Sequence, residues 1–269
     1  MKELKVPTMS EMLATGETPD ILFWVGCAGS FDDRAKKITK AIVRILNHVK
    51  IKFAVLGVEE SCTGDPAKRA GNEFLFQMQA MQNINVLNGY QVKKIVTGCP
   101  HCFNIIKNEY PPLGGKYEVI HHTQLVQQLI DEGKLTVKGG EFRGKKIVFH
   151  DPCYLGRGND VYEAPREVIM KLDVELAEMK RSRSKGFCCG AGGAQMFKES
   201  EKSYKTPEHG NNEVNNERAA EALELKPDVI ALGCPFCMTM MTDGVKHFNK
   251  ESSTKVMDVA ELIANANDL

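Results

Sequence analysis

The chain has 269 residues, 42% of them hydrophobic and 26% charged, enough apolar material for a buried core without disulfide staples. Lysine plus arginine balance aspartate plus glutamate at 35 each, so no net field points to nucleic acid or anionic lipid. The longest strongly apolar stretches, such as 21–26, fall far short of the roughly 20 residues that a membrane helix needs. The opening segment, MKELKVPTMSEML, lacks the apolar run and cleavage site of a secretory signal. These features read as a cytoplasmic protein with no membrane span of its own.

After an N-terminal extension at 1–20, the predicted elements follow in chain order. ILFWVGC is a short apolar strand running to Cys27. In 34–49, Ile38, Ile42, Val43, Ile45, Leu46 and Val49 share one face of a predicted helix. A strand at 51–57 precedes VEESCTGDPA, which carries Cys62. A strand at 93–97 leads into GCPHC, with Cys99 and Cys102, and YEVIHHTQLVQQLI adds another strand and helix. Glycines 139, 140 and 144 mark a join at 135–145. Beyond it, KIVFHDPC runs to Cys153. A helix with Pro165 at its first position and Val168, Ile169 and Leu172 behind it comes next. KGFCCGAGGA carries Cys188 and Cys189, a strand at 228–232 leads into GCPFC with Cys234 and Cys237, and STKVMDVAELIANA closes the chain.

The second series repeats the first. Cys27 and Cys153 are 126 positions apart, Cys62 and Cys189 are 127, and the two CxxC pairs are 135. The offset therefore grows only between the second and third landmarks, where the polar segment 198–217 reads as an insertion. Ordered landmarks at near-constant offset indicate an internal duplication. Strand–helix alternation predicts an α/β fold with two pseudo-symmetric, Rossmann-like parallel-sheet domains, at 21–138 and 145–269. Ligands of parallel α/β sheets gather beyond the carboxyl ends of the strands, so both cysteine sets are expected there, facing the interdomain region.

Nine cysteines, an odd number, argue against a disulfide framework and for metal, cluster or redox chemistry. Each CxxC follows a strand and has proline beside its first cysteine, which suits a helix N-terminus that favours thiolate and an anionic cluster. A thioredoxin-type redox pair is the competing reading of one CxxC, and matched offsets of the other cysteines weigh against it. The second half offers five thiolates, Cys153, Cys188, Cys189, Cys234 and Cys237, one more than a tetrahedral zinc site takes. Iron–sulfur clusters accept thiolates at several spacings. Gly190, Gly192 and Gly193 only superficially suggest a dinucleotide fingerprint, since Gln195 stands at the third glycine position. The first half offers four thiolates, Cys27, Cys62, Cys99 and Cys102, with Ser61 where a paired cysteine would stand. Four suit a cubane cluster and a zinc site equally.

The motifs HDPCYLGR, FCCGAGGAQMF, NNERAAEAL and GCPFCMTMM, with EESCTGDPAKRAGNE and TGCPHCFNIIKNEYP, resemble the cysteine-rich CCG domain. That domain occurs in heterodisulfide reductase catalytic subunits and their relatives. These relatives include iron–sulfur subunits of glycolate, lactate and glycerol-3-phosphate oxidation and quinone oxidoreductases served by electron-transfer flavoprotein. The resemblance implies that Cys153, Cys188, Cys189, Cys234 and Cys237 bind a noncubane [4Fe-4S] cluster. Ser61 departs from the pattern, leaving a [4Fe-4S] cluster or zinc at Cys27, Cys62, Cys99 and Cys102. It further implies a heterodisulfide-reductase-like oxidoreductase subunit relaying electrons between a soluble flavoprotein or dehydrogenase and a membrane quinone-reducing partner, with a ferredoxin-like or membrane iron–sulfur subunit as a further partner, and at the inner membrane only through a partner. Many relatives carry a ferredoxin domain or a membrane segment, which this chain is expected to borrow from partner subunits. Disulfide reduction at the noncubane cluster is one alternative, and a zinc-binding assembly module another.

Of the other residues, His101, His121, His122 and His150 fall near the same predicted edge. A supporting or surface position is expected for most of them, with His101 and His150 worth testing. Asp151 reads as a turn residue. The run Lys180, Arg181, Arg183 and Lys185 reads as a solvated loop, and Met238, Met240 and Met241 as core filling.

Overall fold

The structure is a computed structural model describing residues 4–198 and 213–269. Most of the predicted insertion, at 199–212, lies outside the described residues. Strands β1 (Ile21–Trp24), β2 (Phe53–Ala54), β3 (Lys94–Thr97) and β4 (Glu118–His121) form one sheet in the order β2-β1-β3-β4. Strands β5 (Lys146–Phe149), β6 (Glu175–Ala177), β7 (Val229–Leu232) and β8 (Lys255–Asp258) form a second in the order β6-β5-β7-β8. Every pairing in both sheets is parallel. The two orders correspond strand for strand, so the repeat read from the cysteines is also a repeat of topology. The inner strands are continuous apolar runs, such as Ile21–Trp24 and Val229–Leu232, buried at every position. Parallel sheets covered on both faces require that pattern.

Helices α1 (Met9–Ala14), α2 (Gly26–Phe31), α3 (Ala35–His48), α4 (Asp65–Arg69), α5 (Glu73–Gly89), α6 (Pro100–Asn104) and α7 (His122–Asp131) belong to the first half. Helices α8 (Glu163–Met170), α9 (Val214–Glu224), α10 (Pro235–His247) and α11 (Val259–Ala266) belong to the second. The face predicted for 34–49 is the buried face of α3, where Ile38, Ile42, Val43, Ile45 and Leu46 all sit in the core. Two local expectations shift. The strand at 51–57 pairs with β1 only over Phe53–Ala54, and Pro165 is the third residue of α8 rather than its first. Proline is tolerated there because the first four N–H groups of a helix have no intrahelical partner.

The N-terminal extension is fastened to the sheet edge. Val55 N donates to Pro7 O at 3.0 Å, Met9 N donates to Val55 O at 2.9 Å, and Met9 and Met12 are buried. At the join, Leu135 and Phe142 are buried.

The halves pack reciprocally. The last helix of the second half, α11, lies on α3, and the last helix of the first half, α7, lies on α8. Equivalent elements thus exchange partners, as in an isologous dimer fused into one chain. Arg34 of the first half makes a bidentate pair with Glu261 of the second, at 2.7 Å to each oxygen, and donates to Val256 O at 3.1 Å. This docking turns the carboxyl ends of both sheets toward each other.

Candidate metal centre

The cysteines follow strands in both halves. Cys27 lies at the start of α2 just past β1, Cys99 caps α6 just past β3, and Cys234 caps α10 just past β7. Proline at the first turn lets each CxxC helix begin at once, presenting two sulfurs one turn apart. Cys27, Cys62, Cys99 and Cys102 all line one cavity, with His101 beside them and Phe236 of the other half closing it. Cys27 hydrogen-bonds to Cys62 and drops the latter's pKa to about 6. Cys102 hydrogen-bonds to Cys99 and is itself pushed well up.

In the second half the sulfurs also draw together. Cys189 Sγ lies 3.3 Å from Cys237 Sγ, Cys188 hydrogen-bonds to both Cys153 and Cys189, and Cys237 N donates to Cys234 Sγ at 3.5 Å. Cys188 is driven far below the usual thiol range by its bonds with Cys153 and Cys189. Burial pushes Cys234 up, but bonds from Cys237 and His101 bring it down to about 5. All nine cysteines are free thiols. The adjacent pair converges because Gly190 takes φ +90° and turns its N–H onto Cys188 Sγ at 3.3 Å. The equivalent position of the first half is Thr63, and the left-handed residue comes one later, at Gly64 with φ +90°.

Ser61 does not join the first set. Its hydroxyl donates to Asn83 Oδ1 at 2.9 Å, and Asn83 in turn donates to Cys62 O and Tyr110 Oη. A buried amide therefore holds the chain where the second half has a thiolate. Glu60 accepts from Val25 N and Gly26 N and is pushed up to about 7 by burial.

The two sites adjoin. His101, inside the first CxxC, donates from Nδ1 to Asp65 Oδ2 at 2.7 Å, hydrogen-bonds to Cys234 of the second set, and packs on Tyr154 and Phe236. Burial pulls His101 down, but Asp65 and Cys234 outweigh it and hold it well above the ordinary histidine range. Nearby, His122 Nε2 lies 2.9 Å from Asp258 Oδ1, and the His121 ring stacks at 4.2 Å on His122. Burial drives His121 well down. His101, His121, His122 and His150 are all buried, so of the two expected placements, supporting or surface, they take the supporting one.

Asp151 is also more than a turn residue. It accepts two bonds from the buried Arg166, at 2.7 and 2.9 Å, and one from Arg183 N at 2.8 Å, which clamps the HDPC loop. The basic run is partly engaged as well. Arg181 pairs with Glu217 and Glu221, and Arg183 pairs with Glu163. Met238 and Met241 are core residues, as expected, and Met240 is half-buried.

Asp65, Arg166 and Arg218 do not stand out in the sequence. Asp65 and Arg218 lie inside the motifs EESCTGDPAKRAGNE and NNERAAEAL, so motif membership is the signal that could have found them. Arg166 carries no such signal.

The donor chemistry fits an iron–sulfur group. Thiols grouped by four and five, buried or half-buried and without disulfides, are soft ligands suited to such clusters. No helix among the described residues is long and apolar enough to cross a membrane.

The family described as "Cysteine-rich domain" (CCG) matches twice, over residues 21–107 and 147–242. Among curated proteins, the chain is 44% identical over 98% of its length to the probable iron-sulfur-binding oxidoreductase FadF of Bacillus subtilis, covering 36% of that protein. It is 45% identical over 93% of its length to the EtfAB:quinone oxidoreductase of Syntrophomonas wolfei, covering 35% of it. It is 35% identical over 92% of its length to a polypeptide of the dihydromethanophenazine:CoB–CoM heterodisulfide reductase of Methanosarcina barkeri, covering 59% of it. The chain thus spans about a third of the first two relatives and over half of the third. Matched in both halves, with the same cysteine motif repeated in each, it belongs to the cysteine-rich CCG domain family.

Proposed function

We propose that this chain is an iron–sulfur electron-transfer unit of a heterodisulfide-reductase-like oxidoreductase. In this reading it carries electrons between a flavoprotein or dehydrogenase and a ferredoxin-like or membrane-bound quinone-reducing partner. One observation carries the reading: two separate thiol sets adjoin across the interface, with His101 of the first bonded to Cys234 of the second. Adjacent sites suit transfer from one to the other without a diffusing carrier. Cys153, Cys188, Cys189, Cys234 and Cys237 would hold a [4Fe-4S] cluster, of the noncubane kind that the fifth thiolate permits. Cys27, Cys62, Cys99 and Cys102 would hold a [4Fe-4S] cluster or zinc. A cluster bound there supplies one-electron storage. The protein's own contribution is to bury the sulfurs, exclude water and place His101 and Asp65 between the sites.

The name of one relative, an EtfAB:quinone oxidoreductase, supports a quinone-side partner, and in this reading the chain reaches the membrane through another polypeptide segment or subunit. Anaerobic reconstitution followed by iron, zinc and sulfide analysis tests the cofactors. Reduction by a candidate flavoprotein, followed by stopped-flow absorbance, tests the relay. Zinc at both sites, or no iron at either, defeats the reading in favour of an assembly module. Disulfide reduction at the second site is the second reading, favoured by the five-sulfur count. It requires turnover of a disulfide substrate by the reduced chain.

A further inference from the structure

Beneath the second thiol set lies a histidine that the electron-transfer reading does not use. His150 is fully buried directly after β5, at the start of the loop that carries Cys153. A ring nitrogen of His150 and the sulfurs of Cys189 and Cys237 all lie within 4.8 Å of one another. By proximity alone this is a His-Cys-Cys metal site. The hydrogen bonding argues otherwise. Arg218 Nε donates to His150 Nδ1 at 3.0 Å. An arginine can only donate, so Nδ1 must accept, and in the neutral ring the proton then sits on Nε2. Nε2 is buried and has no hydrogen-bond partner among the described residues. Arg218 cannot swing away easily, because it also donates to Arg181 O at 2.8 Å and to Glu221 at 2.9 Å. A protonated nitrogen is a donor and cannot ligate a metal.

We propose that His150 is a positioning residue that presents its Nε2–H as a hydrogen-bond donor to the sulfurs of the second site, with Arg218 fixing the tautomer, and that it is not a metal ligand. The proposal rests on the reading of that site as an iron–sulfur centre. Buried orphan donors are costly, and a thiolate or sulfide partner removes the cost. Hydrogen bonds to cluster sulfurs also raise the reduction potential by favouring the more negative, reduced form. The first half offers a parallel: the position matching His150 is Trp24, whose indole N–H is likewise buried without a partner among the described residues.

The test compares wild type, His150→Phe and His150→Gln, reconstituted anaerobically with iron and sulfide. Iron content and the midpoint potential of the second-site cluster are read by redox titration. His150→Phe is expected to keep its iron and shift to lower potential, and His150→Gln, whose amide can donate from a similar place, to recover part of the shift. Loss of second-site iron in a folded His150→Phe chain, or an unchanged potential, overturns the proposal. Pulsed electron paramagnetic resonance on 15N-histidine-labelled wild type needs no variant to fold. A weak coupling from an exchangeable proton is expected, and the strong coupling of a metal-bound histidine nitrogen overturns it. A wild type without second-site iron defeats the functional reading itself. Iron-loaded wild type with an insensitive potential defeats only this inference.

Discussion

The two halves share one topology and differ at the metal centre. The second half gathers five sulfurs, braces its first loop with the buried Arg166–Asp151 pair, and places a left-handed glycine directly after the cysteine pair. The first half gathers four. Where the fifth would stand, Ser61 is tied to Asn83, and the position matching Asp151 is Val25. The scaffold therefore tolerates loss of a thiolate when a buried amide takes over the backbone contacts. The difference lies in the loops after the strands, while the strands that place those loops are preserved.

The largest expected effect breaks the second site. Cys188→Ser and Cys189→Ser should each abolish the native cluster spectrum in anaerobically prepared protein, because in the proposed noncubane cluster all five thiolates are ligands. Full iron content and an unchanged spectrum in either variant would make the site an ordinary four-thiolate centre with a dispensable cysteine, like the first half. Next comes Arg166→Met, which leaves Asp151 buried without its counter-charge. Breaking a buried pair in this way costs about 3–5 kcal/mol, measurable by denaturant unfolding. A loss below about 1 kcal/mol would mean that the loop holds without its brace, as in the first half.

A smaller change sharpens the comparison of the turns. Gly190→Ala places a Cβ at φ +90° and 3.1 Å from Val214 Cβ, so a cost of about 1–3 kcal/mol and reduced iron at the second site are expected. Thr63→Ala, at the matching place in the first half, should leave iron at the first site in place. The smallest effect belongs to Ser61→Cys. It forfeits the hydroxyl bond to Asn83, worth about 1 kcal/mol, and should fold normally. Iron content at the first site is expected to stay the same, since Asn83 still bonds to Cys62 O and holds the loop. A gain of iron, or a first-site spectrum turning into that of the second site, would show that the residue type alone separates the halves.

The sequence by itself determined the repeat, the parallel sheets implied by strand–helix alternation, and the division of nine cysteines into four and five. These features are carried by spacing and by local periodicity, and local backbone preference is legible one segment at a time. The turn at Gly190 has a local cause too, because adjacent side chains on extended backbone diverge and a glycine-permitted turn reunites them. Only the tertiary structure decided how the halves meet. Arg34 reaches Glu261 across 227 positions, and Arg218 sets the tautomer of His150 across 68. His101 bonds to a sulfur of the opposite half, and Ser61 turns to an asparagine 22 residues on. No periodicity encodes such pairs. They arise when α11 docks on α3 and α7 on α8, and burial then makes each polar group find a partner or remain a costly orphan.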